Sequence, residues 1–155
     1  MFPNHSDRVG YQYPQDGLLQ VFDVVPESEI RQPKQLDTHG YNAMPVIKNG
    51  LTTGTTVGWV NGLESLVRYY PDHELEFTAL ETTILSYGGR GAFSEKGDSG
   101  AIILDRGGRI VAMLTGGGGT AGENDVTFGT AWYDLEPHIK KTLPGCFLYP
   151  PVPDD

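Results

Sequence analysis

The chain has 155 residues, 38% hydrophobic and 20% charged, enough for one globular domain with a real core or for two very compact ones. Its net charge of −9 argues against nucleic-acid binding, because that affinity rests on Lys and Arg neutralising phosphates. The single cysteine, Cys146, excludes an internal disulfide and a multi-cysteine metal site.

The N-terminus, "MFPNHSDRVG", lacks the basic flank and apolar stretch of a secretion signal. No segment approaches the ~20 apolar residues of a membrane span. A cytoplasmic location is the simplest expectation, although cleavage from a longer precursor would leave the same pattern. Residues 1–43 read as an irregular arm. It holds one apolar run, Leu18 to Val25, expected as a strand ended by Pro26, and a helical turn at Glu27 to Arg31.

From Met44 the texture is regular. "MPVIKNG" reads as a strand closed by the turn signal Asn49-Gly50. "TTVGWV" and "LESLVRYY" follow, separated by Asn61-Gly62, a second hairpin signal of the same kind. In "ELEFTALETTIL", Leu75, Phe77 and Ala79 alternate with polar residues, as a half-buried strand requires. "GAIILDRGGRIVAMLTG" reads as strand, turn, strand, and "DVTFGTAW" as another strand. Only the end reads as a helix, with Asp134 as its cap, Pro137 in the first turn and Lys140 and Lys141 near its C-terminus. With 21 glycines and 11 prolines, short strands joined by tight turns are expected, and a closing helix after them. The predicted fold is all-β, a single antiparallel six-stranded Greek-key barrel over residues 44–155.

Most polar groups have ordinary readings. Gly116 to Gly119 is no phosphate loop, because no Lys-Ser/Thr or helix start follows it. Glu64, Glu74, Glu76 and Glu81 read as a solvated face, and no metal or cofactor is implied. The stretch that invites chemistry is "AFSEKGDSGAIIL", where Gly97-Asp98-Ser99-Gly100 precedes an apolar run.

From Gly97 to the closing helix, "GDSGAIILDRGGRIVAMLTGGGG…DVTFGTAWYDLEPHIKKTL" resembles the C-terminal barrel of chymotrypsin/trypsin-like serine proteases. "VIKNGLTTGTTVGWV" resembles that barrel's first hairpin in disulfide-free fungal and bacterial members, so the likeness covers about residues 44–143. The resemblance implies a catalytic nucleophile at Ser99 and an oxyanion hole from the amides of Gly97 and Ser99. It points the Asp98 side chain into the structure. It also implies a substrate edge at Thr115, Gly116 and Gly117, pairing with an extended peptide. Phe93, six residues before Ser99, falls at the base of the family's specificity pocket and suggests an apolar or shallow one.

The family's mechanism also needs a His to take the serine proton and an Asp to orient that His. Both come from an N-terminal barrel, with the His in an Ala-Ala-His-Cys-like turn that this sequence lacks. Residues 1–43 are too few for six strands of ~5 residues with their turns. Of the four histidines, His5 lies in the polar N-terminus, His73 follows a Pro-Asp turn and His138 lies on the closing helix. His39, beside Asp37 at the start of the barrel, is the candidate base.

Two functions follow. In the first, the chain is the nucleophile-bearing half of a serine endopeptidase, its base supplied by a separate N-terminal half or an upstream segment. In the second, it is a non-catalytic pseudoprotease that binds a peptide or protein, with Ser99 a remnant of an ancestral site. A lone barrel exposes the apolar face a second barrel would cover, so association, including a homo-oligomer, is expected.

Overall fold

The computed structural model describes residues 19–37, 39–69, 77–89, 91–119 and 126–148, without the side chain of Tyr69. A short helix, α1 (Glu27–Arg31), comes first, followed by β1 (Met44–Gly50), β2 (Gly54–Tyr69) and β3 (Phe77–Ser86). Then come β4 (Ile102–Asp105), β5 (Ile110–Gly118), β6 (Val126–Ala131) and the C-terminal helix α2 (Trp132–Thr142). The strands close into a barrel in the order β1-β2-β3-β6-β5-β4, with every neighbouring pair antiparallel. Three consecutive strands with the fourth returned beside the first make a Greek key. In strand order and closing helix, the chain carries the expected six-stranded antiparallel barrel.

Period-two alternation builds the interior. Along β1, Met44, Val46 and Lys48 are buried while Pro45 and Ile47 are half-buried. Val46, Val60, Ile84, Phe93, Ile103, Ala112 and Leu114 meet in one apolar cluster. Val25 and Ile30 of the arm belong to the same cluster, so the described part of the arm packs on the barrel.

The arm is not the strand expected at Leu18 to Val25. Leu18 lies outside the described residues, and the rest makes one isolated parallel bridge, Val24 to Ile110. Asp23 adopts a left-handed φ of 57°, which interrupts extension before Pro26 ends the run. The Val25 amide donates to Ile110 O at 2.8 Å and the Ile110 amide to Asp23 O at 3.0 Å. Arg109 completes the clasp, donating to both Glu29 oxygens and to Asp105 Oδ2.

Three further expectations change. Asn61-Gly62 makes no hairpin. β2 runs on through it, and the register to β3 shifts between Val60 and Glu64. Gly62 supplies the bulge with a φ of 84°, and a Cβ there would lie 2.5 Å from Arg31 O. The C-terminal helix starts at Trp132, not after Asp134, because β6 runs into it without a loop. Ala131 stands at the cap, Asp134 sits in the first turn where its charge suits the dipole, and Pro137 falls one turn further on. Finally, Glu81 is no part of a solvated face, since it is 3% exposed. Glu64 is half-buried and bonded to Tyr133 and Arg31, and Glu74 and Glu76 lie outside the described residues.

Candidate active site

The Gly-Asp-Ser-Gly segment is two turns in succession. The Asp98 amide donates to Glu95 O at 3.0 Å, and the Ala101 amide donates to Asp98 O at 3.0 Å. The third residue of each turn is a glycine at left-handed φ, Gly97 at 108° and Gly100 at 88°. A turn with positive φ at that position needs Gly, which explains two glycines three residues apart. The Gly100 amide donates to Leu114 O at 2.8 Å, tying the segment to β5.

Asp98 anchors the loop from inside. Its carboxylate is 1% exposed. Oδ1 accepts from the amides of Thr52 (2.7 Å) and Thr53 (3.2 Å). Oδ2 accepts from Thr53 Oγ1 (2.6 Å), the Glu95 amide (3.1 Å) and Lys48 Nζ (3.1 Å). Lys48, itself 1% exposed, also bonds Thr53 Oγ1 and donates to Gly54 O at 3.1 Å. Burial works to raise the Asp98 carboxyl, but the hydrogen bonds from Thr53, Glu95, Thr52 and Lys48 outweigh it. The net result lies well below the usual carboxylate range, so Asp98 is ionised at neutral pH.

This anchoring orients the loop's outward peptide groups. Thr52 Oγ1 donates to Lys96 O at 2.9 Å, and Asp98 O is held by Ala101 as above. A trans peptide points its N–H opposite its C=O, so the amides of Gly97 and Ser99 face away from those contacts. Among the described residues neither amide has a protein acceptor. Ser99 is exposed and lines a cavity of about 490 Å³ with Ala92, Ser94, Glu95, Leu114 and the backbone of Gly116 to Gly119.

The sequence candidates divide between this cavity and elsewhere. Ser99, Gly116 and Gly117 line it. Phe93 does not: its ring is 1% exposed in the barrel core, 5.8 Å from Lys48 Nζ. Its neighbours Ala92 and Ser94 line the cavity wall instead. Thr115 turns to the other side of β5, where its hydroxyl donates to Glu81 Oε2 and Phe128 O. His39 is exposed in a turn where the amides of His39 and Tyr41 donate to Asp37 Oδ1. It does not line the Ser99 cavity. His138 Nδ1 lies 2.8 Å from Asp134 O on α2, and His5 and His73 lie outside the described residues.

Lys48 was not a sequence candidate, nor was the Ser94–Thr127 hydroxyl pair, 2.7 Å apart beside the cavity. Lys48 shares the inward parity of Met44 and Val46, and that is the signal that could have found it. Among the described residues no three His, Cys, Asp or Glu are grouped to hold a metal, and no helix is long and apolar enough to cross a membrane.

No family model matches the chain, and no curated protein matches it. Among solved structures it is similar to the chymotrypsin of Cellulomonas bogoriensis, at 26% identity and a TM-score of 0.44. That match covers 64% of this chain and 46% of the chymotrypsin chain, so it spans less than half of that protein.

Proposed function

We propose that this barrel carries the nucleophile of a trypsin-like serine endopeptidase. The observation that supports the reading most is the exposed Ser99, lining a cavity, on a loop held by a buried charged pair. Ser99 Oγ attacks a peptide carbonyl and loses its proton to a base. The amides of Gly97 and Ser99 hold the developing oxyanion, and the amine leaves with that proton as the acyl–serine ester forms. Water then hydrolyses the ester by the reverse proton route. The backbone of Gly116 and Gly117 pairs with the extended substrate. The His and Asp of the mechanism come from a complementary segment or chain, not from His39.

A binding-only module is favoured by one observation: among the described residues no histidine lines the Ser99 cavity. Titration with a peptidyl boronic acid separates the two readings. A tetrahedral boron adduct that is lost in Ser99→Ala supports an acyl-transfer site. Binding that is unchanged in Ser99→Ala supports a module that only binds.

A further inference from the structure

β3 pairs with β6 only over Thr82 to Leu85, whereas its pairing with β2 continues to Phe77. Beyond Thr82 the β3 edge has no β6 partner, because β6 ends at Ala131 and runs directly into α2. The gap opens into a second cavity, about 710 Å³, lined by Phe77 to Glu81 on one side and by Thr115, Thr130 and Asp134 on the other. Five consecutive residues of one strand can line a cavity together only if it runs along the strand's edge, because their side chains alternate between faces. Among the described residues, Thr78 to Glu81 pair with β2 alone.

Glu81 sits in this wall, 3% exposed, with its charge poorly compensated. Its oxygens meet Thr115 Oγ1 at 3.2 Å and Thr130 Oγ1 at 3.2 and 3.4 Å, longer than the ~2.7 Å of a good O–H···O bond. Each hydroxyl has one proton, and Thr115 shares its own with Phe128 O. Among the described residues no Lys, Arg or His pairs with Glu81. Asp134 adds a second carboxylate to the cavity. Burial is the main cause holding the Glu81 carboxyl above its ordinary range, with Asp134 adding to it and the threonine bonds opposing. The edge carries apolar side chains as well, with Phe77 55% and Leu80 60% exposed.

We infer that this notch is a docking site for an extended segment of a partner protein, which adds to the β3 edge and places a lysine or arginine side chain on Glu81. The strand edge supplies backbone pairing, as in other cases of strand addition, and Glu81 selects for a cation. A cation entering the notch meets a carboxylate already stripped of water, so the pair forms without desolvating Glu81 again. The site lies apart from Ser99 and does not depend on its reactivity.

The test uses the Ser99→Ala chain, isotope-labelled, titrated by NMR with acetyl-Thr-Val-Lys-Val-Thr-amide and with the same peptide carrying norleucine for lysine. The lysine peptide is expected to shift the amides of Ala79, Leu80 and Thr130 and to bind at least about tenfold more tightly than its norleucine analogue. In Glu81→Gln, checked for folding by its melting curve, that preference falls to about twofold or less. N-methylation of the two valines abolishes binding. The proposal is overturned if the lysine peptide shows no binding at millimolar concentration or is matched by norleucine. It is also overturned if the preference survives in Glu81→Gln, or if the N-methylated peptide binds equally well.

Discussion

Lys48 Nζ lies 3.1 Å from Asp98 Oδ2, and both side chains are fully withdrawn from solvent. This pair joins the β1–β2 hairpin to the loop that presents Ser99, across fifty residues of sequence. Removing one partner leaves the other charge buried without its counter-charge, which costs about 3–5 kcal/mol. Lys48→Met should therefore lower the Tm by roughly 10 °C, read by circular dichroism. A Tm within about 2 °C of the parent would show that the pair does not hold the loop.

The same pair fixes an acid response. The folded-state pKa of Asp98 is depressed, so its stabilisation is present above the unfolded carboxylate value of about 3.9. It is lost as the pH falls from there towards the folded value. Urea unfolding from pH 7 to pH 2 should show this loss below about pH 4. Asp98→Asn should already be destabilised at pH 7 and should lack that part of the acid slope.

The two turn glycines should differ in cost. A Cβ at Gly97 meets Thr52 Oγ1 at 2.4 Å, whereas one at Gly100 meets open space. Both positions have left-handed φ, which costs roughly 1–2 kcal/mol for a side chain. Gly100→Ala should lose about that much and Gly97→Ala more. Equal losses by chemical denaturation would contradict the placement of Thr52 against the loop.

Ile30 tests whether the arm is structural. It is 3% exposed and sits in the barrel's own apolar cluster. Ile30→Ala should cost about 3 kcal/mol and leave a single unfolding transition. A loss under ~0.5 kcal/mol would mean that the arm is not part of the core.

Glu81 responds to pH in the opposite sense to Asp98. Its folded pKa is raised, so the folded state binds more protons than the unfolded one above about pH 4.3. Stability then falls as the pH rises through the folded value. Glu81→Gln should match or exceed the parent's Tm at pH 7, with the advantage shrinking towards pH 4. A variant less stable at pH 7 than at pH 4, relative to the parent, would reverse the sign.

Much of the barrel was legible because turn residues and period-two alternation mark short strands locally. "VIKNG" and "DRGG" close their hairpins where expected. Asn61-Gly62 misled because the dipeptide suits both a hairpin turn and a bulge. The long β2–β3 ladder, together with Arg31 O packed over Gly62, decided for the bulge. The turn chemistry around Ser99 could be read from two glycines and an Asp, whereas the ammonium that neutralises Asp98 lies on a distant strand. Phe93 and Glu81 show the same limit: which way a side chain faces depends on a barrel that local pattern alone does not close.

Ser99 is proposed as a nucleophile on a loop built for acyl transfer. The most direct measurement is fluorophosphonate labelling of the chain with and without imidazole as a surrogate base, followed by peptide mapping. The expected result is imidazole-dependent modification of Ser99, absent in Ser99→Ala and weakened in Lys48→Met. Failure to modify Ser99 in the presence of imidazole, or equal labelling of the Ser99→Ala chain, would contradict it.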